Sequence, residues 1–440
     1  MMNKIAIIQF GGTGDLTKKK LLPAYKKLYQ NNHKFSVLCL GRKYDTREHY
    51  LRNMVDSPGE YPFLKYIKYD LLHPQNNNAI SNYIKEENAK EVIFYLALSP
   101  GLYKKAISAI LKTLSIAGDI KKKIVVEKPF GFNLISSRQY NNIILKSFSE
   151  KEIYRVDHYL GKEFVQNLLS MRFHNDLIQS VWNKNYIDHI QIIMDEDQGI
   201  SHRIEFYRKV GIVRDMLQNH IFQIIAYLSM AEPINYTQKD ISTEKIKILK
   251  SIRKITDFKL GEYQSLRKGG KRIKIPTFVA LKLFIDNFDF AGIPFYIKTG
   301  KMMNKFKSII YIQFKSFNTR LEREKSLNPN AMIIEIQPNM RIDFIFNVKK
   351  PGEAKKTCPV KFNFDHYKTF KINTPEAYEQ IIKRILNSDK TIFPCFREIE
   401  ESWRIVDSLL GSKNIEIYTD NKLPKFAKKF IQKDKRGWYI

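Results

Sequence analysis

The sequence is short of acid. Its 45 Asp and Glu stand against 75 Lys and Arg, a formal net charge of +30. Cysteine is scarce too: Cys39, Cys358 and Cys395 are too few and too far apart for a disulfide framework or a zinc site. No apolar run nears the roughly 18 residues that cross a bilayer. The run Ile5 to Ile8 is too short for the core of a secretory signal. An internal repeat, a low-complexity linker, an RNP-type aromatic motif and a confined basic arm are all missing. The expectation is therefore a cytoplasmic, reduced chain that works without a metal, a membrane or nucleic acid. The basic excess is spread along the chain, as in Lys121-Lys122-Lys123, which is the pattern of a solvated surface. An attraction for phosphorylated small molecules stays open on charge alone.

What is present is the makeup of a folded protein: 440 residues, 43% hydrophobic and 27% charged. That length holds two or three domains with full cores. The first part alternates short apolar runs with helical patterns. Ile5-Ala6-Ile7-Ile8, Phe35 to Leu40, Val92 to Leu98 and Ile124 to Val126 read as buried strands, with helical spacing over Leu16 to Tyr29 and Tyr103 to Leu114. Alternation of this kind predicts a Rossmann-type, doubly wound parallel sheet over residues 1–157. After about residue 160, helical patterns run over Phe164 to Met171 and Val213 to Met230. Then come closely spaced strand segments, Phe278 to Phe284, Ile309 to Phe314, Met332 to Ile336 and Ile342 to Val348. Residues 158–440 thus read as an α+β domain with a large, mainly antiparallel sheet.

Three stretches carry chemistry. Between the first strand and first helix stands FGGTGDLTKKK (10–20), where glycines let backbone N–H groups approach a pyrophosphate at a helix N-terminus. Gly11, Gly12, Thr13, Gly14, Asp15, Leu16 and Lys20 are the candidate cofactor contacts there, although Thr17 replaces the third glycine of the generic fingerprint. The second strand is followed by Arg42-Lys43, with no acid before Asp45. A cation at that place suits the 2′-phosphate of NADP, an acid the ribose of NAD; a pair of solvated charges is the plainer alternative.

Glu127-Lys128-Pro129-Phe130-Gly131 sets Lys128 at a strand's carboxyl end. Arg155 to Glu163 packs Asp157, His158, Tyr159 and Lys162 together, three of them able to donate to a phosphate. His220, in RDMLQNH, lies on an otherwise apolar helix. It is either a satisfied core histidine or a general base, with Asp157 and Asp215 the acids available to orient it.

Taken together, YLALSPGLY (95–103), EKPFG (127–131), YRVDHYLGKEFVQN (154–167), GIVRDMLQNH (211–220), AGIPFYIKTGK (291–301) and PEAYEQII (375–382) resemble the glucose-6-phosphate dehydrogenase family across nearly the whole chain. The resemblance implies a metal-independent, NADP-dependent oxidation of glucose 6-phosphate at C1, the first step of the oxidative pentose phosphate pathway. It implies His220 as general base with Asp157 as its carboxylate partner. His158, Tyr159 and Lys162 would hold the sugar phosphate. Glu196, Asp215 and Lys301 would contact the sugar, Lys128 both substrate and coenzyme, and Tyr103 the coenzyme. It also implies a homodimer or homotetramer built on the large sheet. The chain departs from the family pattern at Cys39, where glycine is usual, at Phe306, where a cation is usual, and at Ser201 to Glu205.

Overall fold

Two-sided burial is what the continuous apolar runs demand, and parallel sheets supply it. Six parallel strands, β1 (Ile5–Phe10), β2 (Phe35–Gly41), β3 (Leu64–Lys68), β4 (Glu91–Leu96), β5 (Lys121–Val126) and β6 (Ile153–Arg155), join in the order 3-2-1-4-5-6. Every residue of β4 is buried, as are the last five of β1. Between the strands run α1 (Leu22–Gln30), α2 (Arg47–Met54), α3 (Ala79–Glu86), α4 (Tyr103–Ala117) and α5 (Leu134–Leu145). The computed structural model describes residues 4–73, 78–118, 120–200, 204–264, 267–268, 271–272, 274–316, 328–353, 356–371, 374–412, 414–419 and 422–439. Of the departing segment 201–205, Ser201, His202 and Arg203 therefore lie outside the described residues.

The expected helix over Leu16 to Tyr29 forms, but its first turn, Thr17–Leu21, is wound as a π-helix before α1 begins with Pro23 in its first turn. Strand β3 is hard to read in the sequence because Lys65 and Lys68, both exposed, interrupt its apolar run.

The second sheet has nine strands. These are β7 (Ile187–Asp195), β8 (Ile255–Tyr263), β11 (Phe278–Leu283), β12 (Phe295–Gly300), β13 (Lys307–Phe314), β14 (Ala331–Gln337), β15 (Arg341–Lys349), β16 (Thr357–Asp365) and β17 (Ile415–Tyr418). A two-residue-per-arm hairpin, β9 (Arg267–Lys268) and β10 (Lys271–Arg272), stands apart from it. The order is 16-15-14-13-7-12-11-8-17; β7/β12 and β8/β17 are parallel and the other pairs antiparallel. One face is covered by Lys425–Gln432 and Trp438, which join Ile193, Phe278, Tyr296, Phe426 and Phe430 in one core cluster. No described helix is long and apolar enough to cross a membrane.

The chain divides into two compact units, each drawn from three separate stretches of sequence. The first takes Met1–Glu163, Pro233–Ser242 and Pro375–Glu400; the second takes Phe164–Glu232, Thr243–Thr374 and Glu401–Ile440. The cause lies in the helix Ala377–Leu386, whose apolar face (Tyr378, Ile381, Ile382, Ile385) is buried within the first unit. An added Cβ at Gly161 would lie 2.7 Å from the carbonyl oxygen of Ala377, so the turn after β6 is packed directly against that helix.

Candidate functional site

In the first unit the site begins where β1 ends. Gly11 holds φ +75°, and a Cβ on it would lie 2.2 Å from the Ala97 carbonyl oxygen. Only glycine fits such a backbone. Gly12 is equally confined, with a Cβ placed 2.9 Å from that of Cys39. The turn is closed from within: Gly12 N–H donates to Leu40 O at 2.8 Å, Gly14 N–H to Gly11 O at 3.0 Å, and the Thr17 hydroxyl to Gly11 O at 3.0 Å. Thr17, which stands where the fingerprint has glycine, is buried, and its hydroxyl takes part in closing the turn. Among the described residues no acceptor takes the N–H groups of Thr13, Asp15 and Leu16. A cradle of backbone donors at a helix N-terminus, filled by any side chain beyond hydrogen, fits a dinucleotide pyrophosphate. Lys20 is exposed and paired with Glu376 at 3.0 Å. Arg42 is exposed just beyond β2, while Asp45 is engaged by Lys68 at 2.5 Å.

Parallel strands all end on one side, so the later candidates gather at that same edge. Lys128 follows β5 and is half-buried. Beneath it Glu127 is buried, accepting from Tyr95 Oη at 2.7 Å and Tyr378 Oη at 3.4 Å. Burial pushes its carboxyl up to about 7 against those two donors and Lys128. Tyr103, wholly buried, donates to the Glu127 carbonyl at 2.8 Å, so its hydroxyl holds the strand end.

The turn after β6 carries Asp157, His158, Tyr159 and Lys162. Asp157 is buried and its Oδ1 accepts the Tyr159 N–H at 3.0 Å; the Lys162 ammonium lies 3.5 Å from the Tyr159 ring centroid. His158 lies parallel to Tyr378 at 6.3 Å between ring centroids. Tyr378 thus links Glu127 to the histidine, a connection no local pattern announced.

In the second unit, β7 and β12 run parallel with Asp195 opposite Gly300. The next residues, Glu196 and Lys301, therefore leave the sheet side by side. Lys301 is 8% exposed, forms an ion pair with Glu196, and reaches Asp215 at 3.3 Å. Burial works against its charge, but Asp215 and then Glu196 outweigh it and hold the ammonium above the ordinary lysine value. Asp215 and His220 share Val213–Ile221, wound as a π-helix. That wider winding brings residues five apart nearer to one face than an α-helix does. His220 is fully buried, and its backbone N–H donates to Asn219 Oδ1 at 2.7 Å. Phe306 is exposed; Lys307 beside it is half-buried, and burial lowers its pKa.

A 3-2-1-4-5-6 parallel sheet with a glycine loop and helix at its switch point defines a dinucleotide-binding protein of the doubly wound class. The chain matches the glucose-6-phosphate dehydrogenase NAD binding domain over residues 8–167 and the C-terminal domain over residues 169–439. It belongs to the glucose-6-phosphate dehydrogenase family. The glucose-6-phosphate 1-dehydrogenase of Bacillus subtilis (strain 168) is 36% identical over 448 residues, covering 92% of this chain and 91% of that protein. That of Borreliella burgdorferi is 34% identical over 462 residues, 97% of each. A solved structure described as glucose-6-phosphate dehydrogenase in complex with its substrate glucose-6-phosphate matches with a TM-score of 0.89 at 28% identity, over 100% of this chain and 98% of that one.

Proposed function

We infer that this chain oxidises D-glucose 6-phosphate at C1 to 6-phospho-glucono-1,5-lactone in an NADP-dependent reaction. Family membership across both parts of the chain carries this reading. NADP, when bound, supplies the hydride acceptor. The loop from Gly11 to Leu16 with Lys20 is assigned its pyrophosphate end, Arg42 its 2′-phosphate, and Tyr103 and Lys128 the remainder of its seat. His220 takes the proton from the C1 hydroxyl, and Asp157 supports the imidazolium that results. His158, Tyr159 and Lys162 donate to the sugar phosphate. Glu196 and Asp215 accept from sugar hydroxyls, with Lys301 and Lys128 as donors. Fixing the sugar at both ends holds C1 in a reactive pose, an effect worth several kcal/mol in general.

The test is NADPH appearance by absorbance, with NADP and NAD run in parallel on glucose 6-phosphate and on free glucose. Turnover of glucose 6-phosphate with NADP, and far less with glucose, is the expected result. Equal rates on both sugars would overturn the substrate assignment.

We further propose that the protein works in the cytoplasm as a homodimer or homotetramer. The three cysteines are free, in keeping with a reducing compartment. At the sheet edge, register sets Phe344 opposite Phe362 and Phe346 opposite Val360 on one face. Phe346 is 43% exposed and Phe362 54%, an apolar surface that a second copy of the chain would cover. Light scattering on the wild type and on Phe362→Glu checks this. A monomeric wild type would overturn it.

A further inference from the structure

Beneath the phosphate loop of the first unit lies a polar feature that catalysis does not use. Tyr50, on α2, is fully buried, and its hydroxyl donates to the Gly12 carbonyl at 2.9 Å. Its ring stacks on Tyr66 of β3, with centroids 4.3 Å apart and planes 12° from parallel. The Tyr66 hydroxyl, also buried, lies 2.8 Å from the Gly41 carbonyl and 3.0 Å from the Tyr44 carbonyl, sharing its one proton between them. It also accepts the Tyr44 N–H at 3.3 Å. The residues so held, Gly41 and Tyr44, bracket Arg42 and Lys43. Tyr44 packs edge-on against both rings, at 5.9 and 6.4 Å. Cys39 is buried beneath the same loop, its Cβ 2.9 Å from where one on Gly12 would lie.

The two loops are also in direct contact. Gly12 N–H reaches Leu40 O, and a Cβ on Gly41 would lie 2.5 Å from Thr13 Cγ2. A shift of either loop would therefore disturb the other.

We propose that the stacked Tyr50–Tyr66 pair is a positioning device that locks the phosphate loop to the Arg42 loop and thereby sets the preference for a 2′-phosphorylated coenzyme. The proposal rests on the assignment of Arg42 to the 2′-phosphate. Each phenol holds a different loop, so the two act differently. Tyr50 supports the loop assigned to the pyrophosphate, which NAD and NADP share. Tyr66 supports the loop assigned to the group that only NADP has. Phenylalanine at either position keeps the stack and removes only the hydroxyl, whose net worth of about 1 kcal/mol corresponds to roughly five- to tenfold in an equilibrium constant.

Dissociation constants for NADP and NAD, measured by calorimetry without substrate, test this alongside steady-state kinetics. Tyr66→Phe is expected to weaken NADP five- to tenfold and NAD by less than twofold, leaving KM for glucose 6-phosphate unchanged. Tyr50→Phe is expected to weaken both coenzymes by a similar factor. Tyr25→Phe, which removes another buried hydroxyl, bonded to Gln9 Oε1 at 2.8 Å, is the matched control and should move neither ratio. Arg42→Ala separates the premise from the proposal. If it leaves the NADP-to-NAD ratio intact, the Arg42 assignment falls and the proposal with it. If it collapses the ratio while Tyr66→Phe does not, or if Tyr25→Phe does as much as Tyr66→Phe, the tyrosine pair is not the device and Arg42 stands alone.

Discussion

Replacing Lys301 with Met offers the sharpest separation of stability from function. The ammonium sits between Glu196 and Asp215, with side-chain exposures of 10%, 26% and 16% in that order. Its removal strands two carboxylates that water reaches only in part. Exposed pairs are worth about 0–1 kcal/mol, whereas stripping one partner from a buried pair costs about 3–5. The partial exposure places this case between them, at about 2–3 kcal/mol. For a unit of this size that is a fall in Tm of roughly 5–10 °C.

The pH dependence has a definite sign. A lysine held above its ordinary value of 10.5 stabilises the fold fully below that value and ceases to do so as pH rises through the raised one. The gap in Tm between wild type and Lys301→Met should therefore be constant from pH 7 to 9 and close only in strong alkali. Adding Glu196→Gln and Asp215→Asn to Lys301→Met should recover part of the lost stability without recovering activity, since the stranded charges are then gone. Calorimetric melting with parallel kinetics reads both. A Lys301→Met protein that melts like wild type and keeps its KM for glucose 6-phosphate would refute the reasoning.

His220→Asn should cut kcat by 10²–10⁴-fold, the usual range for a lost general base, with substrate binding by calorimetry little changed; near-normal turnover would remove His220 from that role. Gly11→Ala forces a positive φ and a carbonyl clash, so NADP binding should fall at least tenfold, whereas Gly14→Ala, whose Cβ would meet Gly11 O at 3.3 Å, should be several-fold milder. Comparable Kd values for the two would count against the cradle. Glu127 has its folded pKa raised to about 7 from an ordinary 4.5, so its contribution is present below 4.5 and lost as pH rises through 7. Glu127→Gln should therefore gain in Tm relative to wild type between pH 5 and pH 8; a difference that stays flat across that range would be the contrary result.

Much of the first unit was legible because its signals are local. Ile5 to Ile8 is an uninterrupted apolar run with glycines directly after it, and a strand feeding a helix through such a turn has few other solutions. The segments Phe278 to Phe284 and Ile309 to Phe314 showed strand character on their own, and strands form there over Phe278–Leu283 and Lys307–Phe314. What stayed hidden was whatever depends on distant partners. The helix Ala377–Leu386 has an ordinary amphipathic pattern, and nothing in it says that its apolar face is buried within the first unit. Tyr378, which bonds Glu127 and lies against His158, could not be tied to either from spacing. The π-winding of Val213–Ile221 was likewise unreadable, since its residues fit an α-helical stripe equally well.

By itself the amino-acid order determined the phosphate loop, the parallel alternation and the inventory of groups able to handle a sugar phosphate, because glycine placement and hydrophobic period act over a few residues. Only the tertiary structure decided which of those groups meet. Lys301 lies against Glu196 because β7 and β12 end in register, and Tyr66 lies under Gly41 because β3 pairs with β2. Register and packing are long-range choices, settled by burying whole faces at once rather than by any short stretch of sequence.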